Sequence, residues 1–321
     1  MTDSAAAESA WFAAVDADDL EDLDSLDTVD TDARNSTAVT AIRDGTAATP
    51  DNWPALAVEI GIVDDENEYY DLLHTATMAA TRATVTEREA ADDRQLVHAV
   101  RAMDDCERTA NELAERLAEW AGTVDPDAGT GISFARKITA GEHALESGHE
   151  PIASLAERVV DLADEADDLR EFVERQTPTV APNLAALAGP VLGARLLSLA
   201  GELESLAKKP SGTIQVLGAE DALFAHLRGH ASSPKHGIIY MHDAVRGTHP
   251  DERGSAARAV AGKLAIAARV DHYSGERKPE LEAELAERIE TIQARTTEGD
   301  DNGDDNDDAG TDAENGGETD A

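Results

Sequence analysis

The side chains whose types and spacing could do chemistry are concentrated in one stretch. Six of the ten histidines lie between His226 and His272. His226 and His230 are four residues apart, a spacing at which two imidazoles on one helix can bind a metal ion. Gly229 is predicted to end the helix between them, and no cysteine or well-placed carboxylate pair completes a ligand set. We therefore expect no metal site, and histidines that hydrogen-bond to phosphate or backbone.

Other catalytic arrangements are also missing from the sequence. It contains no Ser/His/Asp order, nucleophile elbow or Rossmann fingerprint, and no Gly-Lys-Ser/Thr follows the glycines at 189, 193 and 201. Those glycines predict close helix packing. The single cysteine, Cys106, lies on a helical seam and excludes a disulfide framework. A protein without catalytic activity or cofactor is expected.

Charge is distributed unevenly along the chain. The 321 residues carry 67 Asp and Glu against 27 Lys and Arg, a net charge of −40. Between Arg195 and Lys278, however, 12 basic residues face 9 acidic ones, a net of +3, and five of the six lysines lie there. These bases either pair with neighbouring acids or form a face that binds a polyanion. The second interpretation is favoured, because acids are abundant everywhere else.

The acidity also predicts a dependence on salt. Many acids, six lysines and abundant alanine resemble the composition of proteins from salt-loving cytoplasms. Self-repulsion of this size destabilises a compact state in dilute salt. We expect the chain to need molar KCl to fold, which thermal melts at low and molar KCl will check. A cooperative melt with the same midpoint in both would contradict this.

Four segments are predicted. Residues 1–85 form a small N-terminal domain, for which an α/β fold remains open. Its five aromatic residues make either a core or a patch that faces a partner. A helix capped at Asp64-Asp65 is predicted within it. Residues 86–178 contain two apolar seams at heptad spacing, Leu96–Trp120 and Leu155–Val173, ended by Gly122 and by Thr177-Pro178. Such helices most simply pack as an antiparallel coiled-coil hairpin, within one chain or between two.

Residues 179–297 are predicted to be helical, and residues 298–321 to be a disordered tail with 11 acids and no base. The apolar run from Leu184 to Ala194 is too short to cross a membrane and predicts one buried helix. A helix capped by Ser255 would carry Arg258 and Arg269 on one side and a buried stripe on the other. Since no signal peptide or membrane span is visible, a cytoplasmic location is expected.

Several of these segments closely resemble the Nop domain, a module of box C/D small-RNA particles and of a spliceosomal relative. The resemblance covers about residues 180–275, and the coil resembles the family's first coil helix at Asn111, Glu115-Arg-Leu117 and Glu119-Trp120. The domain's motifs read Ala181-Pro-Asn-Leu184, Gly193-Ala-Arg195, Leu206-Ala-Lys208, Thr213-Ile-Gln-Val-Leu-Gly-Ala-Glu220, Ala222-Leu-Phe224, Pro234-Lys-His-Gly237 and Gly262-Lys-Leu-Ala-Ile-Ala-Ala-Arg-Val-Asp271. The architecture looks like that of the archaeal Nop scaffold.

The resemblance implies a mainly α-helical scaffold with three partners. Residues 1–85 would dock the methyltransferase fibrillarin, with Trp53, Tyr69 and Tyr70 as candidates from aromatic content. The coil would pair two copies. The Nop domain would bind a kink-turn guide RNA together with a ribosomal-protein-like subunit. The candidate contacts are Lys208, Gln215, Gly218, Ala219, Glu220, Leu223, Phe224, Arg228, Lys235, Arg253, Arg258, Lys263 and Arg269, with a helix N-terminus after Gly218 facing the RNA.

The sequence departs from the family pattern at Asp221, Ala225 and Ser255, where positive charge is usual. Either direct RNA binding is weaker, or the chain is adapted to high salt, where counterion release contributes little. We favour the second, because seven basic candidates remain. The alternatives are a spliceosome-type Nop protein that does not bind fibrillarin, and a coiled-coil interaction protein that binds neither RNA nor methyltransferase.

Overall fold

The computed structural model describes residues 10–12, 37–45, 52–143, 145 and 148–300. Over these residues the chain forms 14 α-helices and one 3₁₀ turn, with no strand, so the mainly α-helical fold class is confirmed. The chain divides into two compact units, Met1–Ala91 and Asp92–Ala321. In the described part of the first unit the α/β alternative finds no support, since only helices and turns occur there.

The first unit contains α1 (Thr37–Asp44), α2 (Trp53–Glu59) and α3 (Glu66–Glu89). The predicted cap of α3 is confirmed: Asp65 Oδ1 accepts from the backbone N–H groups of Asn67 and Glu68 at 2.8 and 2.9 Å. Phe12, with other apolar side chains of the unit, forms the core under α3.

The charged stretch of residues 86–122 is divided between two helices. Helix α3 ends at Glu89 and a new helix, α4, begins at Asp92. The physical reason is the charge at the start of α4: Asp92 and Asp93 occupy its first turn. Carboxylates there interact favourably with the free N–H groups and favour a helix start.

The predicted hairpin is formed within one chain by α4 (Asp92–Gly122), α5 (Gly131–Thr139) and α6 (Glu150–Val180). Leu96–Met103 near the start of α4 share a core with Val173 near the end of α6. Leu117, near the end of α4, shares another core with Ile152 at the start of α6. The helices are therefore antiparallel. The buried seam of α4 ends at Ala121 and not at Trp120 as predicted, because Ala121 is buried and Trp120 is exposed.

The prediction that Pro178 stops α6 is wrong. The proline removes one backbone donor, but the helix continues to Val180, and the N–H of Ala181 donates to the carbonyl of Thr177 at 2.8 Å. Thr177 is fully buried, and Gly193 of the following helix pair lies against it, so a β-carbon at 193 would come within 3.4 Å of the threonine methyl. Packing therefore holds the last turn despite the proline, and the prediction of close glycine packing is confirmed at Gly193.

The rest of the second unit consists of two helices of 21 residues and of shorter helices packed with them. They are α7 (Pro182–Ala188), α8 (Pro190–Ala200), α9 (Leu203–Lys208), α10 (Ser211–Val216), α11 (Glu220–Leu227), the 3₁₀ turn Ile238–Met241, α12 (Asp243–Arg246), α13 (Arg253–Tyr273) and α14 (Glu280–Asp300). Residues 301–321, most of the predicted acidic tail, lie outside the described residues.

The apolar run 184–194 is two helices and not one. Gly189, at φ +78°, separates α7 from α8, and Pro190 starts the second helix without an N–H group to extend the first. The pair is bent by 117°. No single helix in the described part of the chain is long and apolar enough to cross a membrane; this bent pair meets the criterion by length and composition only.

The base of the hairpin belongs to the core of the second unit. Arg94 donates to the carbonyl of Gly201 at 2.7 Å, and Arg101 donates to the carbonyl of Ser198 at 2.9 Å. Asp104 accepts two bonds from the guanidinium of Arg195, whose side chain is 15% exposed. Polar contacts thus join α4 to α8 along the edge of a shared apolar core.

Helix α13 lies at the centre of this unit. It begins at Arg253 and its N-cap is Glu252, so the prediction of Ser255 as the N-cap is wrong. Its predicted apolar stripe of Val260, Leu264 and Ala267 is fully buried. Near its end, the buried carboxylate of Asp271 accepts from the N–H of Asn183, from the N–H of Leu184 and from the Asn183 side-chain amide, at 3.0, 2.8 and 2.6 Å. Asp271 therefore caps α7 and fixes α13 against it.

Candidate nucleic-acid interface

A cleft of about 570 Å³ lies between α10, α11 and the first turns of α13. It brings together four of the thirteen predicted contacts, Gln215, Leu223, Lys235 and Arg258. The amide of Gln215 donates to the carbonyl of Lys235 at 2.8 Å and so fixes the loop that carries this lysine. Thr213 and Ser233, which the sequence did not single out, add two hydroxyl groups to the lining.

Lys235 and Arg258 supply the charge of the cleft. Both are exposed, and neither charged group is hydrogen-bonded or ion-paired with any residue that the structure describes. Arg258 stands on α13 one turn after Gly254, and a β-carbon at position 254 would lie 3.9 Å from the nearest side-chain carbons of Lys235. Two uncompensated cations in a hydroxyl-lined cleft are suited to phosphate oxygens.

The helix after Gly218 departs from its predicted role. Gly218 has φ +82°, as the turn requires, but its N–H donates to Oε1 of Glu220 at 2.9 Å. Glu220 and Asp221 both occupy the first turn of α11. The expectation that free N–H groups here would face an anion is therefore wrong for Gly218, because the chain's own carboxylate takes that position. Ala219 is the N-cap of α11, and Glu220 is its first residue.

The rest of α11 is an exposed apolar surface. None of its residues is buried, and Phe224 and Leu227 are 55% and 70% exposed. Arg228 follows at the C-cap, exposed and with no side-chain partner among the described residues. A helix that presents Phe224 and Leu227 to solvent beside a cationic cleft is suited to contact a protein and RNA together.

Four of the predicted basic contacts make bonds inside the protein. Lys208 pairs with Glu204 at 2.5 Å, and Lys263 pairs with Glu284 across α13 and α14. Arg269 donates to the carbonyls of Ala207 and Lys209, and Arg253 donates to Thr248 and lies over the ring of Tyr240. The pairing interpretation of the basic stretch thus holds for these four bases, while Arg228, Lys235 and Arg258 have no such partner among the residues that the structure describes.

The charges of the Lys208–Glu204 pair affect each other's titration. The hydrogen bond from Lys208 lowers the pKa of Glu204, and the same bond raises the pKa of Lys208. Both groups are exposed to solvent, so the pair contributes little to stability. Lys208 can therefore release Glu204 and bind another anion.

The histidines make local contacts. His242 accepts from the N–H of Ala244 at 3.0 Å and bonds to the carbonyl of Leu187 at 2.8 Å, and His226 bonds to the carbonyl of Ala231. His236 stacks on Tyr240 with 4.7 Å between ring centres, and its pKa is lowered by burial and by the charges of Arg253 and Lys235. Within the described residues no three His, Cys, Asp or Glu side chains gather as a metal site.

The aromatic candidates of the first unit divide by burial. Tyr69 is 2% exposed, and its hydroxyl lies 3.3 Å from the indole nitrogen of Trp11, so it belongs to the core. Tyr70 is 57% exposed and remains available to a partner. Trp53 is partly buried against the same core.

Comparisons with known proteins agree with the sequence resemblance. The model of the Nop family, described as "snoRNA binding domain, fibrillarin", matches residues 61–293. A NOP5 family protein of Methanocaldococcus jannaschii is 34% identical over 274 residues, covering 74% of this chain and 66% of that protein. Nucleolar protein 56 of Schizosaccharomyces pombe is 40% identical over 162 residues, covering 50% of this chain and 33% of the relative.

The sequence matches cover only part of this chain and only part of each relative. The chain spans about two thirds of the archaeal relative and a third of the yeast protein. Among solved structures, a chain of a fibrillarin/Nop5p complex is similar at 25% identity and a TM-score of 0.47, covering 79% of this chain and 91% of that one.

Proposed function

Since the chain belongs to the Nop family, we propose that it is a non-catalytic scaffold of a box C/D small ribonucleoprotein. In this proposal it binds a kink-turn guide RNA together with a ribosomal-protein-like subunit and recruits fibrillarin for 2′-O-methylation of ribosomal or transfer RNA. The observation that carries the proposal is the cleft with Lys235 and Arg258, two cations that no described residue compensates in a chain of net charge −40.

Each segment has a role in this proposal. Residues 1–85 dock fibrillarin, residues 86–178 pair two copies of the chain, and residues 179–297 bind the composite of RNA and protein. The cations of the cleft bind phosphates, while Phe224 and Leu227 of α11 contact the ribosomal-protein-like subunit. Asp221, Ala225 and Ser255 reduce the charge of this surface, so affinity depends more on shape, hydrogen bonds and the protein partner than on counterion release.

Reconstitution in molar KCl tests the proposal. We would mix the chain with a kink-turn box C/D RNA, with and without the kink-turn-binding subunit, and follow complex formation by fluorescence anisotropy and size. A stable complex that forms only with the subunit present is expected. If no complex forms in either case, the chain does not bind this RNA and the coiled-coil interaction protein becomes the better explanation. A fibrillarin pull-down separates the proposal from a spliceosome-type protein.

The docking role of the first unit yields a separate prediction. Replacing Tyr70 with alanine should weaken fibrillarin binding by about 5- to 30-fold, the effect of truncating an aromatic contact residue. The side chain is exposed, so the fold should be unaffected. Isothermal titration in molar KCl measures the affinity.

Val85→Ala is the matched control for Tyr70→Ala, because Val85 is 53% exposed on the same helix and is not a predicted contact. Wild-type affinity of Tyr70→Ala would place the docking surface elsewhere.

A further inference from the structure

Four residues of α13 are exposed, while its other residues are partly or fully buried, and the four lie on one side of the helix. They are Arg258, Ile266, Arg269 and Tyr273. At 100° per residue, their directions fall within about 80° of one another. The strip therefore runs along the helix from the cleft, which Arg258 lines, to the C-terminal end at Tyr273.

This strip contains no acid, in contrast to the neighbouring helix α14. The one acidic residue of α13, Asp271, is buried under α7. The neighbouring helix α14 has acids at Glu280, Glu282, Glu284, Glu287 and Glu290 within a similar length. In a chain with 67 acids, a surface strip with two arginines and no carboxylate is suited to a polyanion.

The far end of the strip combines an aromatic ring with positive charge. Tyr273 is 70% exposed and meets His272 edge-on at 4.6 Å. The guanidinium of Arg269 bonds to the carbonyls of Ala207 and Lys209 at 3.2 and 3.3 Å, which holds it at the end of α9. Lys208 there is compensated by Glu204, whereas the ammonium group of Lys209 has no partner among the described residues.

We propose that unpaired nucleotides of the bound RNA follow this strip beyond the cleft, and that Tyr273 stacks on one of their bases. Arg269 and Lys209 bind the phosphates beside it. Arg258 and Arg269 are about 16 Å apart along the helix axis, which leaves room for a few nucleotides between the cleft and Tyr273. An exposed aromatic ring flanked by cations is how proteins bind single strands without sequence preference, because every base has a face to stack on.

The inference rests on the proposed RNA-binding function, so the test uses two RNAs. One is a blunt kink-turn RNA and the other is the same RNA with an unpaired extension of about eight nucleotides, long enough to pass the 16 Å between the arginines. Both are titrated in molar KCl against the full chain with the kink-turn-binding subunit. Tyr273→Ala removes the ring, and Tyr273→Phe is the matched control, because it keeps the stacking face and loses the hydroxyl.

The extended RNA should bind the wild-type chain more tightly than the blunt RNA. Tyr273→Ala should weaken the extended complex by about tenfold, the loss expected for one stacked base, and leave the blunt complex unchanged. Tyr273→Phe should bind both RNAs as wild type does.

Four results would overturn the inference. If the extension adds no affinity, or if Tyr273→Ala binds both RNAs like wild type, the strip does not bind unpaired RNA, while the proposed function stands. If Tyr273→Ala weakens both complexes equally, Tyr273 contacts the protein subunit. If neither RNA binds the wild-type chain, the proposed function fails together with the inference.

Discussion

Replacing Arg258 with alanine should weaken the ternary complex by about 1–3 kcal/mol, roughly 5- to 150-fold in affinity, the cost of a charged hydrogen bond. Its guanidinium is exposed, lines the cleft and has no described partner, so its removal leaves no buried group unpaired inside the protein. The affinity would be measured by anisotropy with the kink-turn RNA and its protein subunit. Arg258→Lys should recover part of the loss, because it restores the charge without the planar donor fork.

The matched control for Arg258→Ala is Arg246→Ala. Arg246 is an exposed arginine of the same unit whose charge is paired with Asp243 at 2.7 Å. It should change the affinity little. A correctly folded Arg258→Ala chain that assembles as wild type would remove Arg258 from the interface, and an equal loss in both variants would indicate non-specific charge attraction.

Replacing Asp271 with alanine should lower the free energy of unfolding by about 3–5 kcal/mol, because three donors would lose a charged acceptor in a buried site. The side chain is 7% exposed, and Asn183, whose amide it accepts, is fully buried. Asn183 also accepts from the N–H of Lys278 at 2.6 Å, so the loss would spread to the loop before α14. Denaturant unfolding in molar KCl, followed by circular dichroism, measures the change.

Asp251→Ala is the control for Asp271→Ala, since the Asp251 side chain is 87% exposed and its carboxylate lies 3.8 Å from the imidazole of His249. Its stability should stay within about 0.5 kcal/mol of wild type. A similar small loss in Asp271→Ala would mean that water or a relaxed backbone replaces the carboxylate, and that this site does not hold α13 in place.

The helices and the hairpin could be predicted because heptad spacing is local. Leu96, Val100 and Met103 follow one another in the sequence, and all three are buried. The ends of helices were less predictable, because local rules compete there with packing. Pro178 should stop a helix by its own chemistry, but the buried contact of Thr177 with Gly193 keeps the last turn in place.

The candidate site was predicted in its residues more than in its geometry. The positions of Lys235 and Arg258 in one cleft depend on how the loop after α11 returns to α13, and a loop of mixed composition carries no signal for that path. Tyr273 was missed for a related reason. A tyrosine near the end of a helix, two residues after Asp271, predicts core packing as readily as exposure, and only the orientation of the helix distinguishes the two.

The way in which α4 is embedded has a consequence for distances within a larger assembly. The helix has 31 residues and spans about 46 Å, with its first third fixed in the core by Arg94, Arg101 and Asp104. Such a helix acts as a lever: a rotation of about 5° at its base would move its far end by roughly 4 Å. The contacts of Arg94, Arg101 and Asp104 at the base therefore limit how far the tip of the hairpin can move relative to the cleft.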